Sequence, residues 1–355
     1  MRLREITTEA WRNTCSGASR TAAVCLALTV AAATLLGMDT LVARAAIDEA
    51  TSYQQAGAAI KTIDAADAID AATCEAITSV AGVRAAGAIR QLDQPLSPRA
   101  LPGSTLPAYE ITPSFAGLLG NATPGDGILL SRSAAQRLGI SAGDELPLVT
   151  GTAVVRGIYE WPDDGRRAGL GYAALIPTAT TNVFDECWAE VWPETEQLQS
   201  LLRSTTITEN ADPSTPPVVG SINESLGVRF RGGERFADRI TQYAPFGAIL
   251  VAALITGFAT RARRLELAAA QHFGVRRTDV LAITLTETAI ALIPTWALSL
   301  AITNAIGHGA STDIGAIIGI GLHVIAGITA GALMGTTIAT LAIRSGDLLT
   351  YFKNR

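Results

Sequence analysis

Five arginines, Arg261, Arg263, Arg264, Arg276 and Arg277, fall within RARRLELAAAQHFGVRRTDVL (261–281), and only Glu266 and Asp279 oppose them. A guanidinium keeps its proton and offers a fork of donors, and this cluster reads as the place where an energy source on the inside grips a membrane protein. Leu265, Leu267, Ala268 and Ala269 favour a helix, and Gly274 supplies its stop before the second basic step. Apolar segments flank the stretch on both sides. A dense arginine cluster between two membrane segments marks a cytoplasmic loop. The expected role is docking, with Glu266 and its arginines as the contacts.

Catalytic motifs are missing elsewhere. The nearest approach to a Walker A loop, Gly57 to Lys61 and Thr62, lacks the glycine before the lysine. No HExxH or GxSxG occurs. Asp163 and Asp164 lie between Pro162 and Gly165, which is the composition of a solvated turn. No basic stripe on the soluble block points to nucleic acid. The chain is therefore expected to be non-enzymatic and to carry no cofactor or metal. The chain cannot be an ATPase of the Walker class alone.

The chain is 48% apolar and 17% charged over 355 residues, too apolar for an ordinary soluble protein and too mixed for a fully embedded one. Its net charge of −5 hides a division. Residues 39–244 carry a net −10, and the remainder a net +5. An acidic block is thus inserted between basic-flanked apolar segments, and the positive-inside bias places that block outside. Cys74 and Cys187 are its only cysteines. An oxidising compartment would close them as a disulfide, the alternative being two buried thiols. Cys15 and Cys25 lie before or within the first apolar segment.

These charges require particular elements to position them. Residues 1–20 place Leu3, Ile6, Ala10 and Trp11 at helical spacing among Arg2, Arg4, Arg12 and Arg20, the pattern of an amphipathic helix on the inner membrane surface. The first span is 21–43. A cleaved signal peptide is the alternative, but the leading region is long and carries Glu5 and Glu9, which favours an uncleaved anchor. The extracytoplasmic block follows at 44–240. It opens with an alanine-rich stretch expected to be helical or mixed. Within it, Ile128–Leu130 suits a buried strand. Ser131 to Leu138 suits a helix closed by Gly139, and two strands should meet at Gly151. PETEQLQSLLRS (193–204) should be helical. Residues 226–260 should run as one long helix, with the second span at 241–260. The basic loop at 261–279 leads to a third span at 280–303, kinked at Pro294. An outer loop at 304–313, a fourth span at 314–343 and a cytoplasmic tail at 344–355 with Arg344, Lys353 and Arg355 complete the chain.

Polar and small residues inside the spans carry further expectations. Glu287 should pair with an arginine or a backbone group, or else mark a transport site. His323 should bond across a helix interface, or else serve as a proton or ligand site. Gly315, Gly319, Gly327, Gly331 and Gly335 recur at intervals of four and invite close helix packing. Such a row should wind around the helix rather than hold one face.

The order of spans and the loop together resemble the FtsX-like (MacB-type) permease subunits of ABC systems. The loop pattern is carried by Arg263, Arg264, Glu266, Leu267, Gly274, Arg276 and Arg277, and Glu287 falls early in the third span as in that family. SRSAAQRLGISAGDELPLVTGTAVVRGIYE (131–160) looks like the family's external-domain signature. The tail, TLAIRSGDLLTYFKNR, keeps Arg344 and Arg355 but lacks the family's proline step. The resemblance implies four transmembrane helices with a large α+β domain between the first two. It also implies a dimer with a second copy or a related permease, sitting in a bacterial cell membrane on a dimer of cytoplasmic ATPases. Membrane lipid and an extracytoplasmic protein are the other expected partners. Export or mechanotransmission is the implied function. A non-transporting regulator, whose external domain controls a cell-wall enzyme or signalling partner, is the alternative.

Overall fold

A computed structural model describes residues 3–101, 103–120, 126–195, 197–211, 214–227, 229–307, 314–344, 346, 348 and 352. Most of the expected outer loop, from 308, and the tail residues Lys353 and Arg355 lie outside the described residues. The chain divides into two compact units, Met1–Glu49 with Gly232–Arg355, and Ala50–Arg231. The sequence-based bounds for the inserted block were 44–240.

The first unit is helical. It contains α1 (Leu3–Cys15), α2 (Thr21–Gln55) as far as Glu49, α6 (Gly232–Ala237), α7 (Ala244–Ala262), α8 (Arg264–His272), α9 (Arg277–Gly307) and α10 (Ile314–Ala342). Four of its helical stretches are long and apolar enough to cross a membrane: Thr21–Gln55, Gly232–Ala262, Arg277–Gly307 and Gly315–Ala342. Leu28 and Leu36 of α2, Ala248 and Ala252 of α7, Leu292 of α9, and Val324 and Ile328 of α10 form its core. Lipid offers little hydrophobic drive between helices, so polar bonds and small residues must hold them. Thr288 and Thr336 hydroxyls meet at 2.9 Å, Thr284 and Thr340 at 3.2 Å, and Thr29 and Thr295 at 3.0 Å.

Two expectations change here. Residues 226–260 do not form one helix: α6 ends at Ala237, Arg239 is extended, and α7 starts at Ala244. Pro245 has no N–H to return to Thr241, so the helical ladder restarts there. The glycine row does not wind around α10 evenly. Cβ atoms built on Gly327, Gly331 and Gly335 would fall 2.5, 2.2 and 2.1 Å from the carbonyl oxygens of Pro245, Ile249 and Ala253, so these three share one face against α7. Gly315 and Gly319 meet nothing within 4 Å. Both sets of contacts ascend in sequence, so α7 and α10 run parallel. Pro294 lies inside α9, within the expected third span.

The second unit is a nine-stranded mixed sheet with helices. Its strands are β1 (Ile60–Asp70), β2 (Val83–Gln91), β3 (Ala108–Ile111), β4 (Ile128–Ser131), β5 (Glu145–Leu148), β6 (Gly151–Tyr159), β7 (Ala174–Pro177), β8 (Val183–Val191) and β9 (Val218–Ser221), in the order β5-β6-β4-β7-β3-β2-β8-β1-β9. The short helices are α3 (Ala71–Ala76), α4 (Arg132–Leu138) and α5 (Leu198–Arg203). Alternation along the strands builds two faces. Ile60, Ile89 and Trp188 face a core with Phe115 and Tyr159, whereas Ile63, Ala88 and Cys187 face α3 and α5. Gly87 is required where β2 meets the turn at Phe115, since a Cβ would lie 2.6 Å from the Phe115 nitrogen. Cys74 of α3 and Cys187 of β8 are bridged and fully buried.

The signature region forms as the sequence indicates. Ser131 caps α4 by accepting from the Ala134 N–H, and Gly139 ends it in the left-handed region. The alanine-rich opening, however, gives up an eleven-residue strand, β1, and the helix expected over 193–204 is confined to Leu198–Arg203.

Candidate coupling site

The basic loop folds as a short helix between two long ones. Helix α7 ends at Ala262, Arg263 sits at the joint, and α8 runs nine residues to His272. Gly274 adopts φ +95°, which favours glycine, and the Val275 N–H returns to the Ala270 carbonyl. Helix α9 then starts at Arg277 with Asp279 in its first turn, where a carboxylate suits the helix dipole.

Arg263 does not face outward. It is 9% exposed, and its guanidinium spans two carboxylates. Nε and Nη2 donate to Glu266 at 3.0 and 2.7 Å, and Nη1 donates to Glu287 Oε2 at 2.5 Å. The other oxygen of Glu287 accepts from Asn13 Nδ2 of α1 at 2.8 Å. One buried carboxylate therefore fastens α1, the α7–α8 joint and α9 together. A void of about 30 Å³ beside it is lined by Ser19, Thr260, Thr284 and Thr288, room for one water. Leu267 is also turned inward, packing with Ala268, Val280 and Ile343. Of the residues expected to couple to an ATPase, Arg263 and Leu267 thus lie on the inner side of this segment.

The exposed side is different. Arg261, His272, Arg276 and Arg277 are exposed, and Phe273 is 87% exposed at the end of α8. Arg264 is half-buried and engaged, and Glu266 remains half-exposed while holding Arg263. Between α1 and α8 lies a groove of about 310 Å³, with Glu9 and Glu266 on its rim and Leu267, Val280 and Ile283 on its floor.

His323 is exposed, and its Nδ1 meets the Gly319 carbonyl of its own helix at 2.7 Å. The expected bond across a helix interface is replaced by an i−4 bond, which an outward-facing side chain reaches more easily. Among the described residues, no group of three or more His, Cys, Asp or Glu side chains is gathered to hold a metal.

Asn13 and Phe273 are the residues that sequence reasoning passed over. Asn13 follows Ile6 and Ala10 on the buried face of α1, so its inward direction is legible, but its meeting with Glu287 depends on tertiary packing. Phe273 is a lone aromatic between the helix and Gly274, outside the apolar periodicity of α8, and that isolation was the available signal.

No family profile matches the chain, and no curated protein matches it. Among solved structures, the periplasmic region of MacB from Actinobacillus actinomycetemcomitans is similar at a TM-score of 0.35 and 9% identity, covering 46% of this chain and 89% of that one. A heavy metal efflux pump is similar at a TM-score of 0.16 and 12% identity, covering 83% of this chain and 35% of that one. Both scores are low, and neither likeness enters the reasoning below.

Proposed function

We propose that this chain is the membrane subunit of an ABC-type export or mechanotransmission complex, driven by a separate cytoplasmic ATPase. The observation that carries this reading is the two-sided build of α8. Its inner side is held to α9 and α1 through Arg263 and Glu287, while Phe273, Arg276 and Arg277, between its far end and the start of α9, are exposed. A force on that end reaches two long helices without passing through a flexible joint. An exposed aromatic followed closely in the chain by two exposed arginines has the composition of an interface anchor. Its complement is an apolar pocket with an acidic rim on the ATPase.

In this reading ATP and Mg reside in the partner, and this chain catalyses nothing. Two membrane subunits, this chain with a second copy or a related permease, stand over an ATPase dimer in a bacterial cell membrane. The arginine loop lies in the cytoplasm and the sheet unit lies outside, where movement of α2 and of the α6–α7 stretch would act on substrate. Capture from native membranes tests the reading. The full chain should retain an ATPase, and F273A combined with R276E and R277E should weaken that binding by more than about 30-fold, the loss of a hot spot. ATPase binding that survives deletion of residues 262–278 overturns it.

A further inference from the structure

The sheet unit contains a second feature that this function does not use. A cavity of about 220 Å³ opens between the edge of the sheet at β1 and β9 and the segment leading into α5. Its floor holds Lys61, only 4% exposed, in a position where a lysine is seldom found. The ammonium is fully occupied: it meets Glu194 Oε1 at 2.7 Å, the Tyr53 hydroxyl at 3.0 Å and the Ala58 carbonyl at 3.0 Å. Tyr53 donates to the same Glu194 oxygen at 3.2 Å.

The other carboxylate oxygen of Glu194, Oε2, has no hydrogen-bond or ion-pair partner among the described residues, although the side chain is only 15% exposed. That oxygen is left to accept from a donor entering the cavity. At the rim of the same cavity, Arg229 is exposed and likewise makes no hydrogen bond or ion pair among the described residues. Leu198 and Val219 supply apolar wall between the two charges, and Thr195 and Gln199 supply further polar atoms.

We propose that this cavity binds an amino-acid-type zwitterion, with its ammonium on Glu194 Oε2 and its carboxylate on Arg229. A metal cation is disfavoured by the two neighbouring cations, and a simple anion by Glu194. Only a ligand carrying both charges satisfies both ends. The volume admits one residue-sized group, below the ~300 Å³ at which drug-sized pockets begin. A free amino acid and the acidic N-terminal residue of a peptide share this chemistry.

The test uses the full chain in detergent, titrated calorimetrically with each of the twenty amino acids and with dipeptides beginning in Asp or Glu, at up to about 10 mM, enough to see millimolar affinity. At least one of these probes should bind. Its methyl ester, which lacks the carboxylate, and its deaminated acid, which lacks the ammonium, should each lose at least tenfold. R229A, a change on the exposed rim, should cost a similar factor while leaving the thermal midpoint unchanged, and E194Q should also weaken binding. Preference for the dipeptides over free amino acids assigns the ligand as a peptide end, and the reverse assigns it as the free molecule. Heat from none of the probes, or binding indifferent to R229A, overturns the proposal.

Discussion

Glu287 shows what a single intramembrane carboxylate can do when both its oxygens are occupied. Replacing it with Leu strips Arg263 of one partner but leaves Glu266, so the cost should fall near 2–3 kcal/mol, below the ~3–5 kcal/mol of fully orphaning a buried charge. The N13D variant sets a carboxylate against Glu287 and should lower the thermal midpoint in detergent by more than N13L does. The N13D/E287Q exchange, which restores a donor and an acceptor, should recover much of that loss; no recovery would show that Asn13 does not act through Glu287. Lys61 of the sheet unit follows the same logic in water. K61M leaves Glu194 without its buried cation and should cost about 3 kcal/mol, with K61M/E194L recovering most of it. Burial holds the Lys61 ammonium below the usual lysine range, with Glu194 partly opposing. Between its folded and unfolded values the unfolded chain binds more protons, so stability should rise with pH in that window and fall as pH drops through the folded value. K61M should remove this alkaline rise in urea titrations. None of this was legible in the sequence at Lys61, which lies in an alanine-rich run with no strand alternation of its own. Glu287 was legible as a residue needing a partner, but the sequence did not distinguish Arg263 from its four neighbouring arginines.

At the level of elements, local signals were read well and contacts between helices less well. Ser131 acts through a local side-chain cap and Gly139 and Gly151 through their own backbone, so α4 and the β5–β6 turn follow from residue type alone. The α7–α10 contact depends on which face the glycines share, and a period of four leaves that open. The structure divides the row sharply. G331A puts a Cβ 2.2 Å from the Ile249 carbonyl oxygen and must separate two backbones, costing about 1–3 kcal/mol in overpacking. G319A meets no atom within 4 Å and removes only a helix-weakening glycine, for a gain of about 0.5–1 kcal/mol. Thermal midpoints of the two variants in detergent should therefore move in opposite directions. Equal shifts would mean that α7 and α10 do not approach as closely as described. The break before α7 belongs to the same class: Pro245 was visible, but apolar continuity on either side masked its consequence for the ladder.

Over the whole molecule the most readable property was charge. The net −10 of residues 39–244 against the net +5 elsewhere follows the same division into two units that compaction makes, with boundaries 11 and 13 residues outside those of the Ala50–Arg231 unit. This agreement has a physical origin. A segment transferred across a membrane is selected against arginine near its ends, while a retained loop accumulates it. Segregated charge thus becomes an orientation, and orientation is testable without knowing any partner. Cys15 is exposed at the end of α1, and Asp163 is exposed in the sheet unit. With Cys25 replaced by Ala and the buried Cys74–Cys187 bridge left intact, a membrane-impermeant maleimide should label Cys15 only after the membrane is opened. With Cys15 also replaced, D163C should label in intact cells. The opposite pattern would place the arginine loop outside, beyond reach of any cytoplasmic ATPase, and would remove the basis for assigning α8 to force transmission. Labelling as expected, joined to loss of ATPase capture in the F273A/R276E/R277E chain, would tie the orientation of the molecule to the one exposed aromatic at the tip of α8.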